Sequence, residues 1–469
     1  MSDQRPDDTG AETTQETPDQ AGEGAPQVTT APQEQPWSGV FDPHHPPQAE
    51  LIDDCVHCGF CLPTCPTYAL WGEEMDSPRG RIWLMKLGLE GEVEMNDTFV
   101  RHLDACLGCM ACVTACPSGV QYDKLIEDTR AQIERNYERS RADELFRQLV
   151  FALFPHPRRL RAASLLGWAY QRTGMAAAVR RWGVTDRLPP RLRALESLMP
   201  DVGLRTLGRT TPTLTEARGQ RRRRVGLLTG CVQRVFFSDV NAATARVLAA
   251  EGCEVYAPRS QECCGALMVH AGQEAQALDK ARAMIDVFEG TGVDTIVVNA
   301  AGCGSTMKEY GWLLRDDERY AERARAFSDK VRDVTEVLAA LETAAPRHPI
   351  AGRVAYHDAC HLAHAQDVRG EPRSMLSTIP GLELLAIPEP EICCGSAGIY
   401  NLVEPEAAED LGRRKADNIA STGPDAVATA NPGCLLQIRR HMSTNGQAPP
   451  LFHPIELVDA SIRGVDPLR

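Results

Sequence analysis

The chain has 469 residues, a hydrophobic content of 43% and a formal charge of −14 at pH 7, enough length for two or three domains with packed cores. Its 17 cysteines exclude an ordinary globular composition, and it contains no run of about 18 apolar residues able to span a bilayer. The opening "MSDQRPDDTG" has neither a basic n-region nor an apolar h-region, so the chain is expected to stay in the reducing cytosol. There, clustered cysteines bind metal or do redox work more often than they build disulfide frameworks.

Residues 1–36 hold eight acids and one base in a run of Pro, Gln, Thr and Gly. Such a segment lacks the apolar surface to offset its ordering entropy, and residues 1–45 are read as a disordered acidic tail.

A helical domain is expected over residues 46–135, built around two cysteine sets. "CVHCGFCLPTCP" at 55–66 places Cys55, Cys58, Cys61 and Cys65 in a C-x2-C-x2-C-x3-C-P pattern, and "CLGCMACVTACP" at 106–117 repeats it with Cys106, Cys109, Cys112 and Cys116. This is the bacterial ferredoxin pattern. Three thiolates two residues apart let one tight loop wrap three corners of a cubane, while the fourth, set off by three residues and a proline, points to the neighbouring cluster. Cys55, Cys58, Cys61 and Cys116 are thus expected to hold one [4Fe–4S] cluster, and Cys106, Cys109, Cys112 and Cys65 the other. Gly59 and Gly108 suit the crowded backbone of such loops. Zinc is the competing reading, but zinc sites take cysteines in pairs across a long gap, whereas two compact sets of four each end here in proline. Between the sets, "DSPRGRIWLMKLGLEG" predicts a helix from near Pro78, with Leu84, Leu87 and Leu89 partly buried.

Residues 136–222 read as a helical, arginine-rich linker. From 157 to 224 there are sixteen Arg, no Lys and four acids, with apolar residues interleaved ("LLGWAY", "GMAAAVRRW"). No helix-turn-helix, zinc-finger or aromatic RNA-binding signature accompanies this charge, so nucleic acid is not an expected partner. Two readings stand: an amphipathic face for an acidic partner or an anionic membrane surface, and a plain solvated face.

The remainder is an internal duplication, residues 223–350 and 351–469. Cys231, the doublet Cys263–Cys264 and Cys303 recur as Cys360, Cys393–Cys394 and Cys434, at separations of 129, 130 and 131 residues. In each copy an apolar, β-branched run ends at the first cysteine ("RRVGLLTGC", "GRVAYHDAC"). A second strand leads to the doublet ("CEVYAPRSQECCG", "LELLAIPEPEICCG"), and a third leads to the last cysteine ("DTIVVNAAGC", "DAVATANPGC"). Helical stretches lie between, as in "NAATARVLAAEG", "EAQALDKARAMIDVF" and "EAAEDLGRRKADNI". The alternation predicts a parallel α/β sheet per copy, with the repeated cysteines just past the strand ends, where the ligand crevice of such sheets lies. Four thiols per copy are expected to meet at one spot. Cys253 aligns with Leu382 and reads as a core residue.

The doublets resemble the cysteine-rich CCG domain of heterodisulfide reductases, which binds an unusual iron–sulfur cluster and reduces a disulfide. That family's cluster-binding version ends in C-x2-C; here Ala300 and Asn431 replace the first member. Cys231, Cys263, Cys264, Cys303, Cys360, Cys393, Cys394 and Cys434 are therefore candidates for a further cluster, with metal-free thiols the alternative. From about 50 to 460 the chain is similar to the iron–sulfur subunit of bacterial glycolate oxidase, on "CVHCGFCLPTCPTY", "DSPRGRI", "CPSGVQYD", "NAATARVL", "GCGSTMKEYG" and "CCGSAGIY", with "HDACHLAHAQ" a looser fit.

No G-x-G-x-x-G follows a predicted strand and no phosphate loop appears, so no flavin or nicotinamide site is expected on this chain. The resemblance implies FAD on partner subunits that oxidise glycolate to glyoxylate, with D-lactate a second substrate. It also implies electrons passing through the two [4Fe–4S] clusters to a quinone or other acceptor, at a peripheral contact with the inner face of the membrane. Subunits of glycerol-3-phosphate and lactate dehydrogenases share the domain order, and a disulfide reductase is the alternative from another class. His270, His357, His361 and His364 flank the repeated cysteines as candidate ligands, cluster-tuning donors or proton carriers, or as plain polar residues.

Overall fold

The computed structural model describes residues 40–200, 203–443 and 448–469; most of the acidic tail lies outside the described residues. Residues 40–45, which composition assigns to that tail, are instead docked. Phe41 is buried in the core of the first domain, Asp42 accepts from Gln132, Arg135 and Asn136, and His45 bridges Glu274 and Asp316. The correction has a local cause, because an aromatic residue beside an acid and two histidines can pair where the preceding polar run cannot.

The first domain is helical. The helix Pro78–Glu90 starts where the sequence predicts: proline occupies its first turn, Ser77 Oγ accepts from Gly80 N at 3.0 Å, and Gly91 closes the helix in the left-handed region. Leu84 is buried, and Leu87 and Leu89 are half-buried. Asn96 caps Asp97–Asp104 through the N–H groups of Thr98 and Phe99. Tyr122–Asn136 closes the domain over Phe99, Leu103 and Met85.

The duplicated region forms two sheets. The first contains β1 (Leu214–Thr215), β2 (Arg223–Leu227), β3 (Cys253–Tyr256), β4 (Thr295–Val298) and β5 (Val331–Asp333), in the order β1-β3-β2-β4-β5. The second contains β6 (Gly352–Tyr356), β7 (Leu382–Leu385), β8 (Ala426–Ala428) and β9 (Leu451–Phe452), in the order β7-β6-β8-β9. All pairings are parallel except β1 with β3. The registers correspond: Val225 faces Val255 and Thr295, as Val354 faces Leu384 and Ala426. The short β1, within the arginine-rich linker, is too brief for any periodicity to announce.

Helix Ser238–Ala250 of the first copy packs on helix Pro454–Arg463 of the second, and Val334–Ala339 packs on Gly370–Ser377. Arg246 binds Asp459 through two hydrogen bonds of 2.8 and 2.7 Å across this seam, and Val225, Val255, Val354 and Val458 share its buried core. Cys253 lies fully buried in that core.

Candidate iron–sulfur and cysteine-rich site

One small cavity in the helical domain is lined by Cys55, Cys58, Cys61 and Cys116, with Cys112 also on its wall. Cys106, Cys109, Cys112 and Cys65 are buried together beside it. The chain wraps these thiols through left-handed residues: Gly59 and Gly108, but also His57 and Met110, non-glycines that adopt φ of +53° and +61°.

Burial pushes the Cys61 thiol up to about 11, and pushes Cys109 and Cys112 well above their ordinary value, with the neighbouring thiols adding to the effect. Thiols crowded this closely ionise together only when cations neutralise them, so the donor set fits iron. Cys106 differs. Burial alone would push it up, but Arg81 and Arg130 outweigh that and hold it below the usual range. It accepts from Gly108 N at 3.3 Å and from Tyr122 Oη at 3.5 Å. Arg81 is almost fully buried, donating to His102 O at 2.6 Å and pairing with Asp76 at 3.5 Å. It falls inside the "DSPRGRI" segment, yet nothing in its spacing announces a role beside the thiols.

Within each copy the four repeated thiols meet as the sequence predicts, in the contact series Cys231–Cys263–Cys264–Cys303 and Cys360–Cys393–Cys394–Cys434; what the sequence does not predict is that all of them except Cys394 line a single shared cavity of about 380 Å³. The cause lies in the segments after β4, β6 and β8, which join the copies. Ala301 N donates to Ala430 O at 3.1 Å, and Gln366 Nε2 donates to Ala301 O at 2.9 Å. Within each copy the thiols still pair, with Cys231 Sγ 3.6 Å from Cys263 Sγ and Cys360 Sγ 3.9 Å from Cys393 Sγ. Gly265 and Gly395 each follow their doublet at φ +86°, a conformation only glycine adopts without cost.

The copies are not electrically equivalent. In the first, hydrogen bonding to Cys263 and burial hold Cys231 well above its ordinary value. Cys263 is pushed up to about 12, because its contacts with Cys264 and its burial outweigh the contact with Cys231 that lowers it. In the second, hydrogen bonds from Cys360 and Cys394 hold Cys393 down, and Cys434 is held down to about 5 by Cys394 and by His357. His357, Cys394 and Cys434 offer ligand atoms within 4.8 Å of one another. The first copy has Leu228 at the matching position. Asn431, standing where a C-x2-C pair would begin, donates to Cys434 Sγ at 3.5 Å.

Two of the flanking histidines, His270 and His361, line the cavity with ring centroids 5.4 Å apart. Burial and Arg130 push His270 well below its ordinary value, and burial lowers His361. His270 Nδ1 lies 3.2 Å from Arg130 Nη1, and its Nε2 is buried without a partner among the described residues. His364 faces elsewhere, bound to Thr114 at 2.8 Å and Glu391 at 3.0 Å. The arginine-rich linker supplies the apolar wall: Leu153, Leu160, Trp168 and Leu198 border the cavity. Motif and spacing give no hint of Arg130 or of this lining, since neither lies near a repeated cysteine in the chain. Lys415 is missed in the same way; it is fully buried behind the second doublet, donates to Glu389 O at 2.7 Å, and has its pKa lowered by burial.

Comparison with known proteins matches each part separately. Residues 51–120 match the 4Fe-4S dicluster domain, 225–308 and 354–439 the cysteine-rich domain, and 142–199 the linker region of the glycolate oxidase iron-sulfur subunit. The probable glycolate oxidase iron-sulfur subunit of Bacillus subtilis is 40% identical over 405 residues, covering 85% of this chain and 90% of that protein. The glycolate oxidase iron-sulfur subunit of Escherichia coli is 36% identical over 88% of this chain and 94% of its own length. One subunit of the fumarate reductase (CoM/CoB) of Methanothermobacter marburgensis is 38% identical over 48% of this chain and 43% of its own length. Because domain order, linker and most of the length all match, the chain belongs to the glycolate oxidase iron–sulfur subunit family and serves iron–sulfur electron transfer.

Proposed function

We propose that this chain takes electrons from a reduced FAD on a partner subunit that oxidises glycolate to glyoxylate, and delivers them to a quinone in the cysteine-lined cavity. Cys55, Cys58, Cys61 and Cys116 would hold the first [4Fe–4S] cluster, and Cys106, Cys109, Cys112 and Cys65 the second; bound there, each stores one electron at a time. The repeated cysteines, above all Cys360, Cys393, Cys394 and Cys434, remain candidates for a further cluster. The domains would divide at 46–135, 136–222, 223–350 and 351–469.

One observation carries this reading. Cys109 shares a buried core with Cys360, Cys393 and Cys434, and Cys393 opposes its ionisation. The second ferredoxin motif thus abuts the cavity wall. At the other end Cys58 is exposed, flanked by Val56 and Phe60, which are 67% and 66% exposed, an apolar cap suited to a protein partner.

Glycolate loses two electrons and two protons in becoming glyoxylate, and a quinone takes up two of each in becoming a quinol. Arg130 can only donate, so His270 Nδ1 accepts and its unpartnered Nε2 carries the N–H of the neutral ring, a donor for a quinone carbonyl, with neutral His361 beside it. The apolar linker side chains exclude water from the same space.

Iron and acid-labile sulfide per chain, with EPR on the anaerobically purified complex, test the reading. About eight irons with cubane signals only would make the doublets thiols. More iron, with a signal lost in Cys393→Ser, would make them ligands, and cubane signals absent altogether would refute the electron wire. The close Cys231–Cys263 and Cys360–Cys393 pairs favour a second reading, disulfide reduction, which predicts turnover of a disulfide by the purified complex.

A further inference from the structure

The cavity wall formed by helix Pro157–Arg172 is one helix thick. Leu160, Ala163, Gly167 and Trp168 face the cavity, while Leu165 and Leu166 on the outer side are 45% and 76% exposed. A helix apolar on both faces is normally covered on both. The exposed apolar surface continues on the neighbouring helix Met175–Arg181 and the residue after it, where Met175 is 56% and Trp182 73% exposed.

Charge selects the occupant. Residues 157–185 contain six arginines and no acid. Arg158, Arg172 and Arg181 are exposed and make no ion pair among the described residues. Another exposed apolar surface, at Val56 and Phe60, has no such excess of unpaired arginine: Glu50, Asp53 and Asp54 precede it, and the basic groups near it, Lys86 and Arg79, pair with Asp53 and Glu74. Nor does the acidic segment 1–36 suit the linker face, since Met1 and Val28 are its only large apolar side chains. Leucine and tryptophan rimmed by unpaired arginine is the chemistry that an anionic phospholipid surface accepts, the aromatic at headgroup level and the guanidinium groups on phosphate.

We propose that helices Pro157–Arg172 and Met175–Arg181 lie flat on anionic phospholipid, with Leu165, Leu166, Met175 and Trp182 in the acyl boundary. The proposal rests on the quinone reading, because it names the phase from which the quinone reaches the cavity behind the helix. It gives the linker two faces with two tasks, an inner wall and an outer anchor.

The test is sedimentation of the whole complex with phosphatidylcholine vesicles, with and without phosphatidylglycerol. Binding is expected only with phosphatidylglycerol and should weaken with salt. Arg172→Gln with Arg181→Gln should reduce it roughly thirtyfold, at about 1 kcal/mol per arginine near the surface, and Leu166→Gln with Trp182→Gln should reduce it further. These side chains point away from the cavity, so dye reduction in solution should be unchanged and will report that the variants fold. Absence of binding, equal binding to neutral vesicles, or protection of a label at position 166 by a partner subunit would overturn the proposal. Reduction of a water-soluble quinone analogue without vesicles is scored separately; its failure would refute the quinone reading while leaving the vesicle result to stand by itself.

Discussion

Charge next to sulfur is the variable that individual residues control. Arg130 donates to Cys106 O and stands beside His270, so it places a positive charge between the second cysteine set and the cavity. Arg130→Gln should lower the reduction potential of the centre bound there by tens of millivolts, since net charge and hydrogen bonds set such potentials; an EPR-monitored redox titration reads it. Arg81 is a different case, because its removal leaves the buried Asp76 carboxylate with His102, 2.9 Å away, as its one ion-pair partner among the described residues. Arg81→Met should cost about 3–5 kcal/mol of stability, the usual penalty for breaking a buried pair, measurable by urea unfolding. His453 offers a pH test. Burial pushes it down to about 3, so the fold keeps it neutral while the unfolded chain takes up a proton near pH 6.5. Its contribution is intact above about pH 6.5 and falls as pH drops, by about 2 kcal/mol at about pH 5. Its Nδ1 accepts from Ile455 N at 3.2 Å as a helix cap, a role asparagine also fills. Relative to wild type, His453→Asn should gain about that amount of stability between neutral pH and about pH 5.

Single close approaches decide how elements meet. Gly272 has φ +77°, and a Cβ there would stand 2.2 Å from Arg130 O, so only glycine lets the loop before helix Glu274–Glu289 touch helix Tyr122–Asn136. Gly272→Ala should lower stability by roughly 1–3 kcal/mol from backbone strain alone. It should also move Arg130 from His270, seen as a lower melting temperature together with a changed pH profile of quinone reduction. Secondary elements themselves were largely legible. The apolar runs before each cysteine became β2, β4, β6 and β8 because β-branched stretches buried on both faces have few other options. What stayed hidden was β1, and the double-faced character of helix Pro157–Arg172, whose inner apolar face is recognisable only once the cavity behind it is known.

Across the whole molecule, the helical domain and the second copy share the core containing Cys109 and Cys393, and the proposed electron path runs through that contact. On the proposed ligand assignment, in which the fourth ligands cross, Cys58→Ser should remove the first cubane and Cys65→Ser should damage the cluster carried mainly by the other motif. Iron content and EPR of each variant separate these outcomes. Cys393→Ser should leave both cubane signals and complex assembly intact yet stop delivery to quinone; unchanged turnover would show that the doublet is structural.

The sequence by itself determined the ligand types, their spacing and the duplication, because a loop that wraps a cubane and a strand that ends at a thiol are short-range constraints written in neighbouring residues. Only the tertiary structure decided that both copies open onto one cavity, that Arg130 meets His270 from 140 residues away, and that Thr114 binds His364 from 250 residues away. Those contacts come from loops hydrogen-bonded across the repeat seam and from helices pressed together by apolar burial. Neither force leaves a local pattern in the chain, so geometry alone brings two sets of cysteines to one cavity.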